Sequence, residues 1–91
     1  MMFPFSHQGE ARSIDVHVGM RVRFYRRERG ITPAEMERVL ALPPGLLPFY
    51  EQGLRRFPIK FLNRLCSVYG VSLLYFFEGM PPKVVSAYSG V

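Results

Sequence analysis

Cysteine occurs once in the 91 residues, at Cys66. A lone thiol forms no internal disulfide and supports no cysteine-rich metal site. Histidine occurs only at His7 and His17, too few and too far apart for a metal cage. No stretch approaches the roughly 18 apolar residues of a membrane span. Met1 to Gly9 lacks the basic start and apolar run of a secretion signal. Signatures of catalysis are missing too: there is no P-loop, no glycine-rich dinucleotide turn and no Gly-x-Ser-x-Gly elbow. Glu35 and Glu37 stand two apart and face different sides of a helix, so they do not form a catalytic carboxylate pair. Cys66 lies on an apolar stripe, the place of a small buried hydrophobe. No enzyme, no metal and no cofactor are expected. Acidic residues are few as well, 7 against 12 basic ones, which leaves a formal charge of +5.

The basic residues that create this excess are grouped. One group is Arg12, Arg21, Arg23, Arg26, Arg27 and Arg29; a looser one is Arg55, Arg56, Lys60 and Arg64. Such groups are either solvated helix faces or a surface that meets phosphate. Residues 1–14 have no helical or alternating period and read as a flexible arm. Asp15 is the expected N-cap of a first helix running from Val16 to Arg29, with His17 exposed in its first turn and Val18, Val22, Tyr25 and Arg29 at helical spacing. Gly30 ends it.

Thr32-Pro33-Ala34-Glu35 combines a capping Thr, a proline at the first helical position and Glu three residues after the cap. The helix it opens buries Met36, Val39 and Leu40, and stops near Ala41 before Pro43 and Pro44. A short third helix over about Gly45 to Gln52 has to accommodate Pro48 in its first turn. Pro58 opens a fourth, with Ile59, Leu62, Leu65, Cys66 and Tyr69 on its stripe and Gly70 as its stop. Ser72 caps a fifth, Leu73 to Glu78. The expected fold is all-α: five short helices in a compact domain over residues 15–79, followed by a tail over residues 80–91. Tyr75, Phe76, Met80, Val84, Val85 and Tyr88 exceed what so small a core needs and suggest a dimer surface.

Two short helices around residues 33–52 are the place for a helix-turn-helix. The surrounding residues strengthen that expectation. They run Val18-Gly19-Met20-Arg21-Val22-Arg23, then Arg26 through Thr32, Glu35-Met36, Leu40, Tyr50-Glu51-Gln52-Gly53, Leu62, Leu65, Tyr69-Gly70-Val71-Ser72 and Tyr75 through Gly79. In these residues and their joint spacing the chain resembles the Cro and phage-repressor type of bacterial DNA-binding domain, the xenobiotic-response-element family. The resemblance covers about residues 15–79. It implies a lambda-repressor-like fold, double-stranded DNA as partner, and a homodimer or a heterodimer with a related regulator. A cytoplasmic, nucleoid-associated location follows from it. It also implies an ion pair between Arg26 and Glu51. DNA contact would fall on Thr32, Pro44, Gly45, Phe49, Gln52, Arg55, Arg56 and Lys60, with the loop Gly53 to Phe57 and the start of the fourth helix along the phosphate backbone.

The chain departs from the family where bases are read. Pro33 replaces the usual glutamine. Pro43-Pro44-Gly45-Leu46-Leu47-Pro48-Phe49 carries no side chain that hydrogen-bonds a base edge, so apolar contact, as with a thymine methyl, is what remains. Glu37 stands where a small residue usually packs, and is expected to loosen or shift the contact between the second and third helices. Two functions follow. One is a transcriptional regulator that holds DNA chiefly by its backbone, through Arg55, Arg56, helix-end N–H groups and Arg12 of the arm, with shape, arm or partner supplying specificity. The other is a protein-interaction module that uses Leu46, Pro48 and Phe49 as an apolar patch.

Overall fold

The structure, a computed structural model, describes residues 9–80, with side chains from Ile14 onward. Among the described residues four α-helices and one 3-10 helix follow in order: α1 (Gly9–Glu28), α2 (Pro33–Leu40), α3 (Leu47–Glu51), α4 (Ile59–Tyr69) and the 3-10 helix (Leu73–Phe77). The fold is all-α, as the apolar periodicity requires. The fifth element takes the tighter 3-10 form, which suits a five-residue piece ending in bulky rings.

Helix α1 begins at Gly9, so residues 9–14 are helical rather than part of the expected flexible arm, and Asp15 lies inside the helix and caps nothing. Its carboxylate instead accepts a 2.6 Å bond from Arg56 Nε. The side chain of Arg12, residues 1–8 and the tail beyond Met80 lie outside what the structure describes. At α2 both halves of the capping box are made. Thr32 Oγ1 accepts from the Glu35 N–H at 3.1 Å, and Glu35 Oε1 accepts from the Thr32 N–H at 2.8 Å. Helix α2 ends at Ala41 in the left-handed region (φ 57°). The Leu42 N–H reaches back to the Glu37 carbonyl there, closing the end of the helix before the prolines. Gly70, at φ 75°, closes α4, and Ser72 Oγ accepts from the Leu74 N–H to open the 3-10 helix.

The core is the meeting of these apolar stripes. Val18 and Val22 of α1, Met36 of α2, Leu47 of α3, Leu62 and Leu65 of α4 and Phe76 are fully enclosed, with Phe57 from the loop before α4. Helix α1 packs on α3 and on the 3-10 helix, while α2 packs on α3 and α4. The aromatic residues that suggested a dimer surface pack largely within the domain. Phe76 is fully buried, and Tyr75 and Met80 are half-buried against the core. Tyr25 sits among the rings of Tyr69, Tyr75 and Phe76, at centroid distances of 6.2, 5.6 and 6.4 Å. Val84, Val85 and Tyr88 lie outside the described residues.

His17 is tied down rather than simply exposed. Its Nε2 lies 2.6 Å from the Glu78 carbonyl, to which it donates. One turn further, Arg21 donates from Nε to the Tyr75 carbonyl at 2.9 Å and from a terminal nitrogen to the Glu78 carboxylate at 2.7 Å. Arg29 leaves the apolar stripe and places its guanidinium 4.9 Å from the centre of the Tyr25 ring. Cys66 is half-buried, and burial pushes its thiol pKa up, away from the thiolate that a nucleophile needs.

The seam between α1 and α3 depends on a glycine. Inside a helix Gly costs about 1 kcal/mol relative to Ala, so its presence at position 19 needs a tertiary reason. A Cβ there would meet the Tyr50 carbonyl oxygen and stand 2.6 Å from that of Glu51, both backbone atoms of α3. Gly19→Ala is therefore expected to lower stability by about 2 kcal/mol through overpacking, read as a lower urea midpoint at unchanged m-value. At Gly30 (φ 68°) nothing lies within 4 Å of an added Cβ. Gly30→Ala is expected to lose only about 1 kcal/mol, from left-handed strain.

Candidate nucleic-acid interface

Helices α2 and α3 and the turn between them form the helix-turn-helix. α3 is only five residues long, with Leu46 at its N-cap making no side-chain bond and Pro48 in its first turn. It starts late, as Pro48 demands. Leu47 and Tyr50 face the core, whereas Pro48 and Phe49 are exposed, Phe49 by 47%.

Each end of α3 is gripped by a charged side chain of another helix. At its C-terminal end, Glu51 is buried and meets Arg26 of α1 in a two-pronged pair, 2.8 Å from Nε to Oε2 and 3.1 Å from the second nitrogen to Oε1. The remaining guanidinium nitrogen donates to the Ile31 carbonyl at 3.1 Å, so Arg26 also anchors the turn that leaves α1. This fork matches the carboxylate plane and fixes the direction of α3 relative to α1.

At the other end the expectation for Glu37 is overturned. Its side chain is buried and does not loosen the contact between α2 and α3. Oε2 accepts from the Gly45 N–H at 2.9 Å and from the Leu47 N–H at 3.0 Å. A carboxylate here satisfies amides that the apolar turn leaves without a side-chain cap, and its charge suits the positive end of a helix. The Phe49 N–H goes to the Leu46 carbonyl at 3.1 Å, and Pro48 has none. The N–H groups that open α3 are thus bonded within the protein.

After α3 the chain turns through Gly53 (φ 82°), where a Cβ would press on the backbone of Val16, 2.6 Å from its Cα. Phe57 is buried at the end of this loop. Between these anchors Leu54 and Arg55 are exposed. Arg56 is half-buried and bound to Asp15, so the expected twin phosphate contact by Arg55 and Arg56 is unequal: Arg56 ties the loop to α1. Lys60 is exposed on the first turn of α4, which no side chain caps. Thr32 is exposed and holds the α2 cap. Pro44, Gly45 and Gln52 are exposed too, with Gly45 at φ 88°. Pro44, Gly45, Phe49, Gln52 and Arg55 are thus each exposed along residues 44–55, a segment whose Leu47, Tyr50, Glu51 and Gly53 are buried. Arg26, Glu51 and Arg56 are instead bonded within the protein and hold that segment to α1. Sequence reasoning missed Glu37 and Asp15 as partners, because Glu37 bonds backbone amides across a turn and Asp15 bonds a side chain 41 positions on, and no local motif links either set.

Removal of the Glu37 carboxylate leaves a buried amide unpaired. Glu37→Ala is expected to lose about 2–3 kcal/mol, while Glu37→Gln, which keeps an acceptor, loses about 1 kcal/mol. Arg26→Ala strands the buried Glu51 charge and is expected to lose about 3–5 kcal/mol. Denaturant unfolding of the three variants beside the parent checks the order.

Among known proteins, residues 17–73 match the family model described as a helix-turn-helix domain. Over 60 residues the chain is 35% identical to the HTH-type transcriptional regulator RamB of Mycobacterium tuberculosis, covering 66% of this chain and 13% of that protein. Over 87 residues it is 28% identical to the uncharacterized HTH-type transcriptional regulator y4aM of Sinorhizobium fredii, covering 96% of this chain and 61% of that protein. The chain therefore spans only part of either relative. No solved structure matches it. With the match extending from within α1 to the start of the 3-10 helix, and with the two helices and their turn in place, the chain belongs to the helix-turn-helix domain family.

Proposed function

We propose that this domain binds double-stranded DNA as part of a transcriptional regulator, and that it does so mainly through the phosphate backbone. One observation carries the reading. Helix α3 is clamped at both ends by Arg26 and Glu37, yet keeps Phe49 and Gln52 exposed, and exposed Arg55 follows directly. A rigid helix beside a cation is what a major groove and its flanking phosphate require. The uncapped start of α4 with Lys60 adds a second place for phosphate, since unpaired N–H groups and the helix dipole favour an anion there. The two relatives, both named as transcriptional regulators, support the same role, which is not enzymatic. The reading includes assembly as a pair on two half-sites about one helical turn apart, and residence with the chromosome in a bacterial cytoplasm.

A second reading, the protein-interaction module, is favoured by one feature: Pro48 and Phe49 form an exposed apolar step. Leu46, expected to share this patch, is half-buried against the core and contributes less. Fluorescence anisotropy with short duplexes separates the two. Under the DNA reading, affinity falls steeply with salt, and Arg55→Ala lowers the slope of log K against log salt by about 1. Absence of duplex binding even at low salt, together with a host protein captured by the parent but not by Phe49→Asp, would reverse the assignment.

A further inference from the structure

We infer that α3 selects A·T base pairs by the methyl group of thymine, with Phe49 as the residue that reads it. This rests on the DNA-binding reading above and adds the chemistry of the sequence it prefers.

The inference follows from counting hydrogen-bond donors and polar side chains on the leading face of the helix. The Gly45 and Leu47 N–H groups are bonded to Glu37, and the Phe49 N–H to the Leu46 carbonyl. Pro44 and Pro48 have no N–H to give. All of Pro44, Pro48 and Phe49 are exposed, and none has a polar side-chain atom. The turn and first turn of α3 thus offer a base edge no side-chain polar group and no free N–H donor, and Phe49 is the large apolar side chain exposed there.

Carbon surface still discriminates. In the major groove the thymine methyl is the apolar feature among the base edges; guanine shows acceptors, and cytosine and adenine show amino donors. A methyl set against Phe49 leaves water favourably. A cytosine amino group or guanine O6 at the same place loses its water and gains no partner. Gln52 lies three residues after Phe49, on the same side of the chain by helical spacing, and is exposed. Its amide matches adenine N6 and N7. Phe49 and Gln52 therefore favour the same kind of base pair. Exposed Arg55 supplies the charge complementarity that holds such a surface against a polyanion.

The test needs no knowledge of the natural target. Duplexes are selected from a randomised pool with the full 91-residue chain, and thymines inside the protected site are then replaced by deoxyuridine. That change deletes the methyl and keeps base pairing and every polar group. The expected result is roughly fourfold weaker binding for each contacted methyl removed. Phe49→Ala, checked for parental helical content, should bind the thymine and uracil duplexes equally. Arg55→Ala should weaken both and preserve their ratio. The inference is overturned when the parent binds both duplexes alike, or when Phe49→Ala retains the full preference. A selection that recovers no duplex at low salt overturns the DNA reading and this inference with it.

Discussion

Helix α3 is five residues long, and no helix of that length holds its shape in water. Fixing its first turn costs backbone entropy that its few internal hydrogen bonds do not offset. Its geometry therefore comes from outside. Arg26 of α1 holds one end through Glu51, and Glu37 of α2 holds the other through two amides. Leu47 and Tyr50 fix its rotation by facing the core, and the absence of a side chain at Gly19 lets α1 approach its backbone. A buried ion pair is weak support for net stability, because desolvation consumes much of the attraction. Its effect lies in direction. A planar fork meeting a carboxylate permits few arrangements, and those arrangements aim the exposed side of α3.

The charge of +5 is correspondingly divided. Arg21, Arg26 and Arg56 meet carboxylates of distant segments, Arg64 donates to the Val39 carbonyl, and Arg29 stacks over Tyr25. Arg21, Arg26, Arg56 and Arg64 join elements, and that each is a guanidinium group has a reason. An ammonium ion could neutralise Glu51, but could not bond both of its oxygens and the Ile31 carbonyl in fixed directions. Net charge thus measures poorly how much cationic surface remains for a polyanion. Placement decides it, and Arg55 differs from its neighbour Arg56 in exposure rather than in chemistry.

What was legible in the sequence was local. The capping box at Thr32 and Glu35, the stop at Gly70 and the cap at Ser72 each lie within a few residues, where spacing alone determines geometry. Apolar periodicity marked Val18, Val22, Met36, Leu62 and Leu65 for the core in the same way. The Arg26–Glu51 pair spans 25 positions and entered through family resemblance, not spacing. Glu37 was misread because its partners are backbone amides eight and ten residues away, which carry no signature in the one-letter string. His17 and Asp15 were misplaced for a like reason, since their partners lie 61 and 41 positions on. Composition counts rings without locating them, so it suggests a dimer surface for Phe76, which is fully buried. The ring cluster around Tyr25 gives it a place inside.

Glu37 also changes how the candidate site is organised. A helix that begins with unpaired N–H groups attracts phosphate and can donate to a base edge at the same end. Here that end carries its own carboxylate, so its dipole is answered internally and an approaching phosphate finds no unpaired amide. Under the DNA reading, the two tasks are then separated along the chain. Phosphate falls to Arg55 and the uncapped start of α4, while the opening of α3 is left to shape and apolar contact. The prolines fit this separation: a segment with no donor to offer loses nothing by lacking N–H groups, and fixed φ values lower the entropy lost on docking. The buried acid and the apolar turn thus depend on one another. Without Glu37 the turn would leave amides unsatisfied; with it, the turn presents apolar side chains with its donors already paired.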